Sequence, residues 1–402
     1  MPDPIDLDTL LAACDRAGAS CLTSVTELEA AAGPHASVAP AKFAAPRGDQ
    51  PLYAYETRYD DGNPCPAVMI DSKQSQLNRV EQCLRDAIDD GHEVLARLPR
   101  VVVSYENASY SDLNLPHRVF DGHIRAGSID GTPTTRDASY QRVRDANPGD
   151  AMALLETSPA SLVFGAWDSS RAARQGRWRS ILTGEIIGFC EPPEDGRSRK
   201  GGARVDPHGM RIELTGPQLK DLVERQRGEL SKTTADKALK AAAATKKDER
   251  AKTSMIGLGG IPPALDALAG VSCRKIVRSH VLSFSALRQI RFGKGSDGDT
   301  ACRALLAALA LAGLARSDAE LLLRANCDLT EAGPTTVILH ERAGATREFS
   351  ALSIEEADAL LEAALAHAEQ TAGISWSGVA LQVTGDPAIG AGAVDDEPES
   401  TS

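Results

Sequence analysis

No CxxC pair occurs among the eight cysteines of this 402-residue chain, Cys14, Cys21, Cys65, Cys83, Cys190, Cys273, Cys302 and Cys327. Neither a zinc site nor a thiol redox pair is signalled, and in so long a chain an even count does not argue for disulfides. Aromatic residues are scarce at 4%, so a Trp or Phe in a strand is read first as core. The longest apolar run, ALLAALALAGLA at 304 to 315, is shorter than the ~20 residues of a membrane helix. MPDPIDLDTL at the start is acidic where a signal peptide is basic. The expectation is a cytoplasmic protein with no membrane contact. A GxxxxGK(S/T) loop is missing, and the glycines of GKGSDGD at 293 to 299 follow neither a Walker nor a dinucleotide spacing. HExxH and GxSxG are also missing, and the paired acids Asp60/Asp61 and Asp89/Asp90 sit in turn or helix-end contexts. No cofactor and no metal chemistry are expected.

What is present is charge, unevenly placed. From Arg171 to Lys294 there are 25 Lys and Arg against 13 Asp and Glu, a surplus of +12 in a chain of net charge −12, which leaves −24 for the remainder. A chain that is acidic overall but gathers its positive charge is suited to gripping a polyanion along one track, and the phosphate backbone of a nucleic acid is the obvious one. Arg171, Arg174, Arg177 and Arg179 have no acid among them, and Arg274, Lys275, Arg278, Arg288, Arg291 and Lys294 lie in an acid-free stretch. Arg outnumbers Lys in both, which favours bidentate phosphate contact. The competing reading is a solvated face whose ion-pair partners lie elsewhere in the sequence.

With 42% hydrophobic and 25% charged residues the chain is globular, with length for two or three domain-sized units. Residues 20 to 65 read as irregular with short strands, one of them at Leu52 to Tyr59. Asp71 or Ser72 caps a helix to Asp90 with Leu77, Val80, Leu84 and Ile88 on one stripe, Ser75, Asn78, Arg79 and Gln82 on the other face, and Gly91 as its stop. Arg100 to Tyr105 reads as a strand, and Pro116 to Gly131 is open between helix and strand. A helix is expected from Asn147 to Ser158, then strands at Ser161 to Trp167 and Arg179 to Cys190. Beyond Glu191 come a loose basic stretch, a Lys/Ala-rich helix of about seven turns from Pro217 to Lys252, and GLGGIPP. A strand at Lys275 to Phe284, a helix at Asp299 to Leu314, a strand at Thr335 to His340 and a helix to about Gln370 behind the capping box Ser353/Glu356 follow. Unevenly interleaved strands and helices point to an α+β fold.

PHRVFDGHIRAG groups His117, Arg118, Asp121, His123 and Arg125. A metal-independent ribonuclease could use such a His as general base and an Arg to stabilise the phosphorane, because His titrates near working pH. His117 and His123 are six apart, on one face of a strand but on different faces of a helix. RNA contact and packing are the other readings. In the strand reading Arg177 and Arg179 share a face opposite Trp178, and Phe164 and Trp167 likewise split. Rings that stack bases beside Arg that tracks phosphates are the physics of single-strand binding.

The segments DSKQSQLNRVEQ (71 to 82), LPHRVFDGHIRAGSIDG (115 to 131), SPASLVFGAWDS (158 to 169), RSILTGEIIGF (179 to 189), RVDPHG (204 to 209), GLGGIPP (257 to 263) and VLSFSALRQIRF (281 to 292) resemble one family, in order, over about residues 50 to 330. They are similar to the backbone subunit of the type I-G (formerly I-U) CRISPR surveillance complex, Cascade, in the Cas-seven branch of RAMP proteins. The resemblance implies an RRM-like (ferredoxin-like) RAMP palm with a thumb and helical insertions. On it, residues 1–190 would be the N-terminal part of the palm with a helical elaboration, and 191–263 a basic, partly mobile insertion and candidate thumb. Residues 264–385 would complete the palm with helices, while the acidic, Gly/Ala/Pro-rich composition of 386–402 reads by itself as a disordered tail. The partners implied are CRISPR RNA, target DNA through guide pairing, further copies of the chain stacked along the RNA, and other Cascade subunits. No catalysis is implied; the alternative is a metal-independent RAMP endoribonuclease that processes CRISPR RNA. The RNA-binding residues expected are Gln74, Gln76, Asn78, Arg79, His117, Arg118 and Arg125, with Arg171, Arg174, Arg177, Arg179, Arg204, Arg274, Arg278 and Arg288 of the basic window.

Overall fold

Asp6 closes the start of a short helix, α1 (Leu7–Cys14), by accepting the Thr9 N–H at 2.9 Å. The next element corrects an expectation. Cys21–Ala30, read as irregular, is a ten-residue strand, β1, with strictly alternating burial. Its inward positions include Ser24 and Thr26, so the period of two is carried by burial and not by apolar residues. The computed structural model describes residues 2–43, 52–172, 175–191, 199–202, 212–247, 249–258, 264–268 and 270–391. They fall into two compact units, Met1–Gly196 with Gly270–Ser402, and Arg197–Ala269.

In the first unit a hairpin of β2 (Tyr55–Asp60) and β3 (Asn63–Asp71) leads into α2 (Lys73–Asp89). Ser72 caps α2 by accepting the Ser75 N–H at 3.3 Å, and Leu77, Val80 and Leu84 are buried along one stripe, as the periodicity implies. The expected β-branched strand is β4 (Arg100–Ser104). The stretch left open after Pro116 contains a 3-10 turn (Arg118–Phe120) and a short helix, α3 (Gly122–Ala126). The helix expected from Asn147 is shorter, Met152–Thr157.

SLVFGAW is a second correction, because Pro159–Phe164 is a helix, α4, and not a strand. Pro159 fits the first helical turn, where its missing N–H is no loss. Gly165 ends the helix at φ 83°, and a Cβ there would lie 2.9 Å from the Trp178 carbonyl oxygen, so the apolar run is turned before it can extend. Only Ala166–Trp167 (β5) is extended, paired with Arg177–Trp178 (β6). Leu182–Phe189 is β7.

The second unit has its own small core of Leu219, Val223, Ala235, Ala238 and Ala242. The single seven-turn helix expected here is two helices, α5 (Gly216–Arg225) and α6 (Lys232–Ala244). Gly228 lies between them, and Ser231 caps the second by accepting the Thr234 N–H at 3.1 Å. Thr215 and Gln218 form a capping box on α5.

Back in the first unit, β8 (Lys275–Ser283) is followed by α7 (Gly295–Ala319), β9 (Thr336–His340), α8 (Ile354–Ala372) and β10 (Val379–Thr384). The box of Ser353 and Glu356 on α8 is present as expected. Pro387–Ala391 forms a short helix where a disordered tail was expected; residues 392–402 lie outside those described. In the main sheet the central order is β9, β1, β8, β7, with every neighbouring pair antiparallel. α2 falls between β1 and β7 in the chain, and α7 between β8 and β9. This βαββαβ unit is the ferredoxin-like topology, so the α+β expectation holds. Beyond β7 the sheet is widened by β3 and β2. A second sheet pairs β10 with β4 in parallel.

α7 is long and apolar enough to cross a membrane, but 94% of its apolar window is buried inside the protein, packed against α1, α2, α4 and α8. Alanines and Gly313 keep it slim: a Cβ at Gly313 would meet Val80 Cγ1 at 2.6 Å. Its buried cation, Arg316, is matched by Asp358 of α8 at 2.7 and 2.8 Å. Where β3 enters α2, the fully buried carboxylate of Asp71 accepts from Gln76 Nε2 at 2.6 Å and Arg79 Nε at 3.1 Å, and also from Arg324. Arg324 further donates to the carbonyls of Ile70 at 2.7 Å and Ala39 at 3.2 Å. Burial alone would raise the Asp71 carboxyl, but the bonds from Arg79 and Gln76 hold it below the ordinary value of 3.8.

Two predictions follow from these buried carboxyls. Asp71→Ala strands the arginine ends and the Gln76 amide, and a loss of about 3 kcal/mol is expected, read by urea denaturation. Asp112 is also wholly buried, with Oδ1 accepting the Val101 N–H at 3.3 Å. Burial pushes its carboxyl from 3.8 up to about 7, so between those values it is protonated in the folded chain and ionised in the unfolded one. Its contribution to stability therefore falls as pH rises through that window. Asp112→Asn keeps the oxygen that faces Val101. Its stability gain over the parent is expected to grow from about pH 4 to about pH 7 and then level off at roughly 2–4 kcal/mol, measured by paired thermal melts.

Candidate nucleic-acid interface

Helix geometry puts Gln74, Asn78 and Gln82 on one stripe of α2, each about 6 Å further along the axis than the last. All three are exposed, and among the described residues none makes a side-chain hydrogen bond. They form one wall of a groove of ≈ 570 Å³; Leu113, Asn114, Leu115, Pro116 and Arg118 form another, and Phe164, Ser180 and Thr183 also line it.

The two walls are tied by one ion pair. Arg118 donates Nε and NH2 to the two carboxylate oxygens of Glu81 at 2.6 and 2.5 Å, and NH1 to the Gly165 carbonyl at 2.7 Å. Glu81 projects from α2 between Asn78 and Gln82, and only 4% of it is exposed. Burial pushes its carboxyl upward, opposed by the Arg118 hydrogen bonds. The Arg118 backbone is left-handed, φ 49°, which costs a non-glycine residue about 1–2 kcal/mol. A bidentate, nearly buried ion pair can hold it there.

The β5–β6 hairpin rises from the same wall, since Ser180 Oγ donates to the Phe164 carbonyl at 2.6 Å. Arg177 lies 5.1 Å from the centre of the Trp167 ring, and Trp167 is 47% exposed. Arg179 is exposed, with no hydrogen bond or ion pair among the described residues, while Trp178 is buried. The expected division of Arg177 and Arg179 from Trp178, and of Phe164 from Trp167, is therefore present, although Phe164 is divided off by a helix.

Most other predicted cations brace the fold. Arg171 bonds to the Arg144 carbonyl and to Asp145, both at 2.6 Å, and Arg125 bonds to the Phe120 carbonyl at 2.9 Å and to Ser170. Arg288 donates to the carbonyls of Ala13 at 2.6 Å and Ala19 at 2.9 Å. Arg274 is half exposed, 3.4 Å from Asp60 and 5.6 Å from the centre of the Phe189 ring. Arg79 joins Asp71 to the Leu322 carbonyl, so it does not project freely from α2 as its position opposite the apolar stripe implied. Two positions are corrected outright. Gln76 is 1% exposed and bonded to Asp71, and Arg278 is 2% exposed beside Asp318 at 3.2 Å and Glu331 at 3.7 Å, so neither reaches a strand on the surface. Arg174 and Arg204 lie outside the described residues.

The two histidines are not brought together by any contact among the described residues. His117 is exposed, with its backbone N–H on Asp121, and His123 Nδ1 is 2.7 Å from the Tyr105 hydroxyl. His123 also packs against Tyr110, 5.7 Å between ring centres. The groove residues not expected as RNA contacts from sequence include Asn114, Thr183 and Gln82, the last placed only on the polar face of its helix. For Gln82 the signal was there, because it is four residues beyond Asn78 and eight beyond Gln74. For Asn114 and Thr183, on a loop and a strand, no local signal exists.

Residues 22–191 match the model of one family, described as CRISPR-associated protein GSU0053 (Cas_GSU0053). No curated protein matches the chain. The matched span holds α2, the Leu113–Arg118 wall and the hairpin with Trp167, Arg177 and Arg179, so the groove and the ring beside it lie wholly inside it. Over these residues the chain is similar to the CRISPR-associated proteins of that family.

Proposed function

We propose that this CRISPR-associated chain is an RNA-binding backbone subunit of a type I surveillance complex, Cascade, in the Cas-seven branch of RAMP proteins. Several cytoplasmic copies stack along one CRISPR RNA beside other Cascade subunits, and each holds a short segment so that its bases pair with invading DNA. The unit Arg197–Ala269, placed in the chain between β7 and β8, is the candidate thumb.

One observation carries this reading: an amide-lined groove whose wall continues into an exposed Trp167 with Arg177 stacked on it and Arg179 beside it. An indole stacks any base, arginine meets any phosphate, and neither prefers a sequence. A guide holder needs this, since the Watson–Crick edges must remain open for the target. The role is a non-catalytic one. His123, the second imidazole of the ribonuclease alternative, is engaged by Tyr105 and packed on Tyr110, away from any described contact with His117.

The chain is expected to bind single-stranded RNA of unrelated sequences with similar affinity. The slope of log K against log salt is about −0.7 for each phosphate neutralised. The double variant Arg177→Ala/Arg179→Ala should therefore flatten the slope by about 1.4. Trp167→Ala should weaken binding by roughly 1–3 kcal/mol and leave the slope alone. Fluorescence anisotropy across a salt series reads both. Native mass spectrometry on a ladder of RNA lengths should show copies added stepwise with the RNA intact. A single copy at every length, or cleaved RNA, would count against the proposal.

A further inference from the structure

We propose that the groove tells RNA from DNA by engaging ribose 2′-hydroxyls with the amide stripe of α2. This rests on the reading of the chain as a strand-binding protein and adds the chemical group that is recognised.

The cations that line the groove already have partners. Arg118 holds Glu81, Lys73 is 3.8 Å from Glu185, and Arg85 lies 2.5 Å from Asp86 and 3.8 Å from Asp89. Beside these paired charges the groove offers a ligand uncharged groups. Gln74, Asn78 and Gln82 present amides with no partner among the described residues, and Thr183 presents its hydroxyl likewise. Asn114 accepts from the Ser111 N–H at 3.1 Å and the Ser111 hydroxyl at 2.9 Å, and its Nδ2 makes no bond among the described residues.

Each of these groups can donate, and the Gln and Asn amides of α2 can also accept. A phosphate oxygen only accepts and is met best by a cation; those of the groove face carboxylates, and Arg179, with no ion pair among the described residues, stands on the hairpin. A ribose 2′-hydroxyl both donates and accepts, and it is what separates RNA from DNA at a given site. The repeat of the stripe, about 6 Å for four helical residues, is the scale of one nucleotide in a partly extended strand. Successive amides therefore meet successive sugars while Arg177 and Arg179 meet phosphates.

The test uses the full chain and two labelled single strands of one sequence, all-ribose and all-deoxyribose, titrated by fluorescence anisotropy. A net neutral hydrogen bond is worth ~0.5–1.5 kcal/mol, or about 2- to 13-fold in affinity. With three amides engaged, the parent is expected to prefer ribose by about 10-fold or more. The triple variant Gln74→Ala/Asn78→Ala/Gln82→Ala should bind both strands at the parent's deoxyribose level, with its salt slope unchanged because no charge is removed. Gln82→Ala alone, at an exposed helical site that tolerates alanine, should give a partial loss of the same sign. Equal affinity of the parent for both strands would overturn the inference, as would a triple variant that weakens on both alike. A well-folded parent that binds neither strand would instead overturn the strand-binding reading on which the inference rests.

Discussion

A single buried carboxylate fixes where the working surface stands. Asp71 is the last residue of β3, one residue before the cap of α2, and it gathers Gln76 and Arg79 from that helix and Arg324 from far along the chain. A charge fully removed from water is tolerable only when opposite charges and hydrogen bonds surround it. The surrounding groups are therefore held to the carboxylate, and the first two turns of α2 are held with them. The amide stripe begins within those turns. Its direction relative to the sheet follows from an electrostatic demand met beneath it.

The same economy explains why an Arg-rich protein shows few arginines to a ligand. Arg118, Arg125, Arg171, Arg288 and Arg324 all bond backbone carbonyls, a use that suits a planar fork of five donors and would suit lysine poorly. Two of these, Arg171 and Arg288, belong to the central +12 window, which is to that extent an internal scaffold. The cations of the groove face carboxylates, and an unpaired charge among the described residues, Arg179, is offered on the hairpin beside it. A surface divided in this way can separate sugar contact from phosphate contact, which a uniformly basic face cannot do.

Much of the fold was legible in the sequence where period and cap agreed. α2, β4, β7, β8, β9 and α8 stand within a few residues of where apolar stripes, β-branched runs and the Ser353/Glu356 box put them. The strand at the centre of the sheet was missed because its inward side carries Ser24 and Thr26, so hydropathy did not alternate where burial does. α4 was missed because Val163 and Phe164 favour strands, and the decisive constraints lie at its ends, in Pro159 and in the positive φ of Gly165. The candidate site was half legible. Motif resemblance and side-chain type pointed to Gln74 and Asn78, which line the groove, and the acid-free cluster pointed to Arg177 and Arg179, which stand on the hairpin. Which cations were already paired was not legible, because Glu81 and Arg118, or Asp71 and Arg324, meet only after the chain has folded.

The bridge between Glu81 and Arg118 sets one further condition. Two walls joined by a nearly buried, bidentate pair are ordered when the chain folds and not when a strand arrives. An entering strand therefore surrenders only its own freedom, and the protein adds little ordering cost of its own. Between strands of one sugar type, differences in affinity then reduce to how stiff each strand is and how strongly its own bases stack. The contacts themselves, an indole for any base and arginine for any phosphate, supply the indifference to sequence. The ion pair of Glu81 and Arg118 thus keeps the cost of binding on the strand's side.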